Sequence, residues 1–159
     1  MITDPPAPLT VLLQTASYWV MQGLMAELTA KGYSGLTEAH LTLLGNLDCG
    51  TTYASAVAQR IGLSRQAIYR TIRELEAMAF LGLQDDPDRR NQKLVVMTDA
   101  GMRLALDARA ALATLEETLS QRIGAGPLLA LRASLEQGWG DVGQPPIPLT
   151  HPAPNPIRR

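Results

Sequence analysis

Arg65, Gln66, Tyr69, Arg70 and Arg73 are the residues of this 159-residue chain whose types and spacing are best suited to chemistry at a surface. Turned at about 100° per residue, they gather on one side of a helix, while Ala67, Ile68, Ile72, Leu75, Met78 and Ala79 gather on the other. Arg and Gln offer the paired groups that match guanine and adenine edges, and Arg, Tyr and Ser also reach phosphate oxygens. The same residues on an isolated amphipathic helix would be an ordinary solvated face. The segments on either side turn the balance toward a surface that reads nucleic acid.

Upstream, the order Ala58, Gly62, Ile68 has the spacing of a helix-turn-helix. A small residue lets the helices approach, a glycine opens the turn and a branched apolar residue locks the crossing. Val57, Ile61 and Leu63 are expected to fill the other inner positions, and Ser64 to cap the second helix. Thr51 or Thr52 is expected to cap the first, where free backbone N–H groups could also hold a DNA phosphate. Downstream, residues 81–84 (LGLQ) and 93–98 (KLVVMT) read as two short strands joined by the polar, turn-forming loop DDPDRRNQ. The tip of that loop carries Arg89, Arg90, Asn91, Gln92 and Lys93.

Taken together, LTEAHLTLLGNL, the helix-turn-helix, LExxxFL, DPDRR and a strand ending in MTDAG resemble the MarR family of winged-helix transcription regulators, over about residues 35–141. The resemblance implies a mainly α fold, a winged helix-turn-helix with a small β-hairpin wing, flanked by N- and C-terminal dimerisation helices. It places Ser64, Arg65, Gln66, Tyr69 and Arg70 in the major groove. The wing pair Asp88 and Arg90, with Arg89 between them, then lies at the adjacent minor groove or its backbone. Arg73, Arg89, Arg90 and Lys93 would mainly hold phosphates, and Thr52 joins them if it caps the first helix. Two departures stand out. Ala79 replaces a glycine at the close of the reading helix, which implies a slightly different exit, and Leu83 replaces an arginine that could pair with an acid near the wing.

The resemblance further implies a homodimer bound to double-stranded DNA at a near-palindromic operator, more in the manner of a repressor. It also implies a small hydrophobic or aromatic effector held between the dimerisation helices and the winged helix. Tyr18, Trp19, Met25 and Tyr53, with Met21, are the candidates to line that cleft, against the plainer reading that they pack a core or an interface. The rival function is a winged-helix adaptor or anti-repressor that binds protein, for which exposed apolar anchors would be the sign.

Totals agree with one globular domain carrying extensions. Hydrophobic residues make up 46% of the chain, and no apolar run approaches membrane-spanning length. A single cysteine excludes an internal disulfide. With no secretory signal at its start, the chain is expected in the cytoplasm. The net charge is −1, but residues 60–93 hold seven of the fourteen Lys and Arg against five acids. So small an excess favours binding that depends on geometry and on two copies of the module.

Residues 1–8 are a proline-containing lead-in. A helix is expected over 9–31 with Gly32 as its stop, and another from Thr37 and Glu38 to near Leu47. A long helix, capped by Thr98 or Asp99, should run to Ile123 on the stripe Leu104, Ala108, Leu112, Leu115, Leu119, Ile123. After the Gly124-to-Pro127 break, Pro127 is expected to begin a helix with the stripe Leu128, Leu131, Leu135, Trp139. The domain thus spans 9–141, with its winged helix at about 35–98 and dimerisation helices at about 9–31 and 99–140. Residues 142–159 form a tail too proline-rich for helix or strand, a docking segment or DNA-touching arm at most.

Enzymatic patterns are missing. His40 and His151 belong to no metal or nucleophile arrangement, and no glycine-rich loop follows a strand. Asp85, Asp86 and Asp88 lack the spacing of a calcium loop and are expected to shape the wing. Cys49 reads as a small packing residue rather than a redox sensor. Neither a cofactor nor a metal is expected.

Overall fold

The structure, a computed structural model, describes residues 6–47, 52–86 and 93–137. Its elements are helices α1 (Leu9–Ala30) and α2 (Glu38–Gly45), strand β1 (Thr52–Tyr53), helices α3 (Ala54–Ile61) and α4 (Arg65–Ala77), strands β2 (Leu81–Asp85) and β3 (Lys93–Met97), and helices α5 (Asp99–Ile123) and α6 (Ala125–Glu136). The strands form one antiparallel sheet in the order β1-β3-β2, with Thr52 opposite Val95 and Leu83 opposite Val95 on the other side. The chain divides into two compact units, Met1–Leu115 and Glu116–Arg159, and the border falls inside α5.

In the first unit the core is made by Leu24 and Leu28 of α1, Leu41, Leu43 and Leu44 of α2, Val57 of α3, Ile68, Ile72 and Leu75 of α4, Leu81, Val95 and Leu104. Each such side chain taken wholly from water contributes about 1.5–3 kcal/mol before conformational entropy is counted. Of the apolar face expected for α4, Ile68, Ile72 and Leu75 are buried and Ala67 and Met78 half-buried, but Ala79 lies past the end of the helix and is exposed; Thr71 is buried on the same face, its hydroxyl donating to the Ala67 carbonyl at 3.1 Å. α2 is started by a capping box: the His40 N–H donates to the Thr37 hydroxyl (3.3 Å) and the Thr37 N–H donates to His40 Nδ1 (3.1 Å).

Several expected boundaries move. Tyr53, not Thr51 or Thr52, is the N-cap of α3 and gives it no side-chain cap; Thr52 belongs to β1. Two residues of strand are too few to show a period of two. Leu63, expected inside, is 49% exposed. Gly62 ends α3 in the left-handed region at φ 73°, and the reversed chain carries the next residue outward. Thr98, not Asp99, heads α5: its hydroxyl accepts the Gly101 N–H at 3.0 Å. α6 begins at Ala125, so Pro127 lies inside its first turn, where the missing N–H costs nothing.

The exit from α4 is also not altered as the replacement of glycine by Ala79 implies. Ala79 itself takes φ 60°, the left-handed conformation a glycine would supply. The Ala79 N–H donates to Glu76 O and the Phe80 N–H to Leu75 O, both at 2.9 Å, which is the hydrogen-bond pattern of a Schellman close. A left-handed alanine is strained by about 1–2 kcal/mol. Ala79→Gly is therefore expected to stabilise the protein by about 1 kcal/mol in urea unfolding, the reverse of a usual glycine substitution.

A polar clasp joins the end of α1 to α5. Lys31 Nζ and the Tyr33 hydroxyl each donate to the Asp107 carboxylate at 2.6 Å. The bond from Lys31 first, then that from Tyr33, holds the Asp107 carboxyl below its ordinary value. A depressed carboxylate pKa gives stability that is present above the unfolded value and lost as pH falls through the folded one. Asp107→Asn should accordingly melt earlier than the wild type at pH 7. The difference should vanish well below 3.8, the ordinary Asp value, in melts recorded across the acid range.

In the second unit, the last part of α5 and α6 are linked by the Arg132–Glu116 ion pair at 2.7 Å. Gly124 alone makes the break, at φ 91°. α6 contains no buried residue, and Leu129, Leu131 and Leu135 are all exposed. Trp139, Cys49 and the proline-rich tail lie outside the described residues. Among the described residues, no helix is long and apolar enough to cross a membrane.

Candidate nucleic-acid interface

α4 holds the proposed reading residues on rigid backbone. Ser64 caps it by accepting the Ala67 N–H at 3.2 Å. Packing of Ile68, Ile72 and Leu75 against the core then fixes its rotation. That rotation leaves Arg65, Gln66, Tyr69, Arg70 and Arg73 exposed. The guanidinium of Arg73 pairs with Glu76 at 2.7 Å, and Arg70 Nε lies 3.9 Å from Glu74. Exposed pairs of this kind are worth little, so both arginines are available to an anion.

Arg65 also borders a groove with Tyr53, Ser55, Ala56, Gln59 and Leu63. Ser55 and Gln59, exposed one turn apart on α3, add polar groups beside the reading helix that the sequence reading missed. Their i, i+4 spacing on the face opposite Val57 and Ala58 was the available signal. Arg60, by contrast, was counted in the basic excess but is committed to the fold, its guanidinium donating to the Asn46 carbonyl at the end of α2 (2.9 Å).

Beside the wing, the Asp86 side chain is buried and accepts a hydrogen bond from the Tyr53 hydroxyl, while Lys93 pairs with Asp85 directly across the hairpin. Leu83, standing where an arginine could have served an acid, packs on the core. The acid near the wing is therefore held by Tyr53, from β1. Asp88, Arg89 and Arg90 lie outside the described residues.

The four effector candidates do not come together as a lining. Tyr18 is 63% exposed and Tyr53 sits in the groove beside Arg65, while Trp19 and Met25 are part-buried on α1. An apolar cleft of about 290 Å³ lies elsewhere in the first unit, lined by Leu24, Leu41, Leu44, Leu47, Met97, Leu104, Ala108 and Leu112, with Arg109 at its margin. None of the four candidates lines it. Its walls are mainly leucine and alanine, residue types that in sequence look no different from ordinary core. Among the described residues, no group of three His, Cys, Asp or Glu side chains is placed to hold a metal.

A helix-turn-helix followed by a sheet hairpin, with the second helix presented, is a winged helix. Among solved structures its neighbours carry the fold of the MarR-family regulators. One is a MarR-family transcriptional regulator from Rhodococcus sp. RHA1, at TM-score 0.67 and 22% identity, covering 83% of this chain and 95% of that one. Another is the transcriptional repressor CouR bound to a 23-mer DNA duplex, at TM-score 0.69 and 22% identity, covering 80% and 89%. In sequence the chain is 26% identical over 103 residues to an uncharacterized protein of Mycobacterium tuberculosis, across 65% of this chain and 72% of that protein. No protein-family profile matches.

Proposed function

We propose that this protein is a MarR-type transcription regulator, not an enzyme, a repressor that binds a near-palindromic duplex as a homodimer and whose hold on DNA responds to a small molecule. The observation that carries this is the α4 surface: Arg65, Gln66, Tyr69, Arg70 and Arg73 all stand clear of the core on a capped, packed helix. Arg65, Gln66, Tyr69 and Arg70 read base edges or neighbouring phosphates, and Ser64, Arg73 and Lys93 hold the backbone; Thr52, which does not cap α3, drops out of this set. Asp88, Arg89 and Arg90 belong to the wing in this reading. The work is done on chromosomal DNA, hence in the cytoplasm.

Fold neighbours support the same picture. Besides the DNA-bound CouR, they include CouR from Rhodococcus jostii RHA1 bound to p-coumaroyl-CoA and Bordetella bronchiseptica BpsR, whose DNA binding is regulated by 6-hydroxynicotinic acid. A hydrophobic or aromatic effector fits the aliphatic cleft here, with Arg109 favouring an anionic one. α2 lines that cleft through Leu41 and Leu44, and His40 on the same helix is bonded to α4, so a guest lies close to the reading helix. Homodimerisation would cover the exposed Leu9, Val11 and Leu12 of α1, and equally Leu129, Leu131 and Leu135 of α6.

Leu63, an exposed apolar residue beside Arg65, is the observation that favours a protein-binding adaptor instead. One leucine among polar and cationic residues is a poor anchor for a protein. Selection from a random duplex pool decides between them. The expected product is a two-fold symmetric consensus with half-sites about one helical turn apart. Failure to enrich any sequence, with no salt-sensitive duplex binding, would remove the DNA-binding reading.

A further inference from the structure

His40 is 3% exposed, yet both of its ring nitrogens are engaged by groups that lie on different elements. Nδ1 accepts the Thr37 N–H at 3.1 Å, so it is the nitrogen without a proton. Nε2 therefore carries the hydrogen and donates it to Glu74 Oε2 at 2.9 Å. Glu74 is on α4, and its other oxygen, Oε1, stands 3.9 Å from Nε of Arg70. One carboxylate thus faces two partners, a buried imidazole through one oxygen and an exposed guanidinium through the other.

From this geometry we infer that His40 is a positioning residue for DNA recognition: it fixes the Glu74 carboxylate, and Glu74 sets the direction from which Arg70 approaches a base edge. The inference rests on the DNA-binding reading above. A free Glu74, on the same exposed helix, could swing toward the phosphates and repel them, or leave Arg70 among several rotamers. Anchored by a buried group, it does neither. The buried end matters because an imidazole wedged in a capping box has one orientation, and it passes that constraint to a side chain that water would otherwise leave mobile. A histidine in the place usually taken by Glu or Gln in the box is what makes the link, since those residues would end at the Thr37 N–H.

His40→Asn separates this role from a structural one. The Asn Oδ1 accepts the Thr37 N–H in place of His40 Nδ1, while its amide nitrogen, on a shorter side chain, falls short of Glu74. The readout is the ratio of affinities for a selected duplex and a scrambled one, measured on the full chain, for wild type, His40→Asn, Arg70→Ala and the double variant. Expected is a loss of about fivefold in that ratio for His40→Asn, and no further loss when it is added to Arg70→Ala, the non-additivity of residues acting as one unit. If His40→Asn does not fold, Glu74→Ala at its half-exposed position carries the same comparison with the same expectation. A ratio unchanged in the single variant, or an equal loss with Arg70 already removed, overturns the inference alone. A wild-type chain that selects no duplex overturns the DNA-binding reading, and the inference falls with it.

Discussion

Arg70→Ala is expected to lower affinity for the selected duplex by about tenfold, within the range of 1–3 kcal/mol for one guanidinium lost from a base edge, while leaving thermal stability within about 0.5 kcal/mol of wild type. The two halves of this expectation come from one fact. Its side chain is 77% exposed and its ion pair with Glu74 is long, so the fold draws almost nothing from it. A group so placed, on a helix whose rotation is locked by Ile68, Ile72 and Leu75, is available to a partner outside the chain at little cost to the fold. The loss should also be uneven. Changing the base pair opposite Arg70 should weaken the wild type and leave the variant unaffected, whereas a mere phosphate contact would lower all sequences alike. Equal binding by variant and wild type would exclude Arg70 from recognition.

Gly101→Ala is expected to destabilise the first unit by about 3 kcal/mol, the upper range for forcing atoms into a packed site. A Cβ at this position would lie 2.0 Å from the Phe80 carbonyl oxygen and 3.0 Å from its carbon. That carbonyl has little room to retreat. It accepts the Thr98 N–H at 3.2 Å, and the Phe80 N–H is bound to Leu75 in the close of α4. In an open helix the same substitution would be favourable by about 1 kcal/mol, so the sign itself is the test. Urea unfolding measures it. Because Phe80 joins α4 to β2, relief of the clash must displace the wing from the reading helix, and duplex affinity should fall along with stability. An unaltered unfolding midpoint would mean that α5 and the α4 exit are not pressed together.

Much of this was legible without coordinates. Apolar residues three and four apart marked α1, α4 and α5, and two short apolar runs on either side of a turn-forming loop marked β2 and β3. Most of the exposed set on α4 followed from periodicity alone, since whichever face Ile68, Ile72 and Leu75 bury, Gln66, Arg70 and Arg73 must turn away from it, with Arg65 and Tyr69 at its edge. MTDAG was visible as a motif too, but only the approach of the Phe80 carbonyl explains its glycine.

Other features were decided between elements distant in sequence. β1 exists because β3 offers it a partner, and two residues carry no pattern of their own. Leu63 is apolar in type but lies past a left-handed glycine, and its exposure depends on which way the chain turns there. The cleft takes its walls from α1, α2, β3 and α5, none of which announces it. His40 could be placed on a helix by sequence; its burial, its tautomer and its hold on Glu74 needed α2 and α4 side by side. Periodicity along one chain segment determines what that segment turns toward water, because the helix or strand repeat is local. Which buried polar atom meets which partner is set by packing across the fold, and only the tertiary structure could decide it.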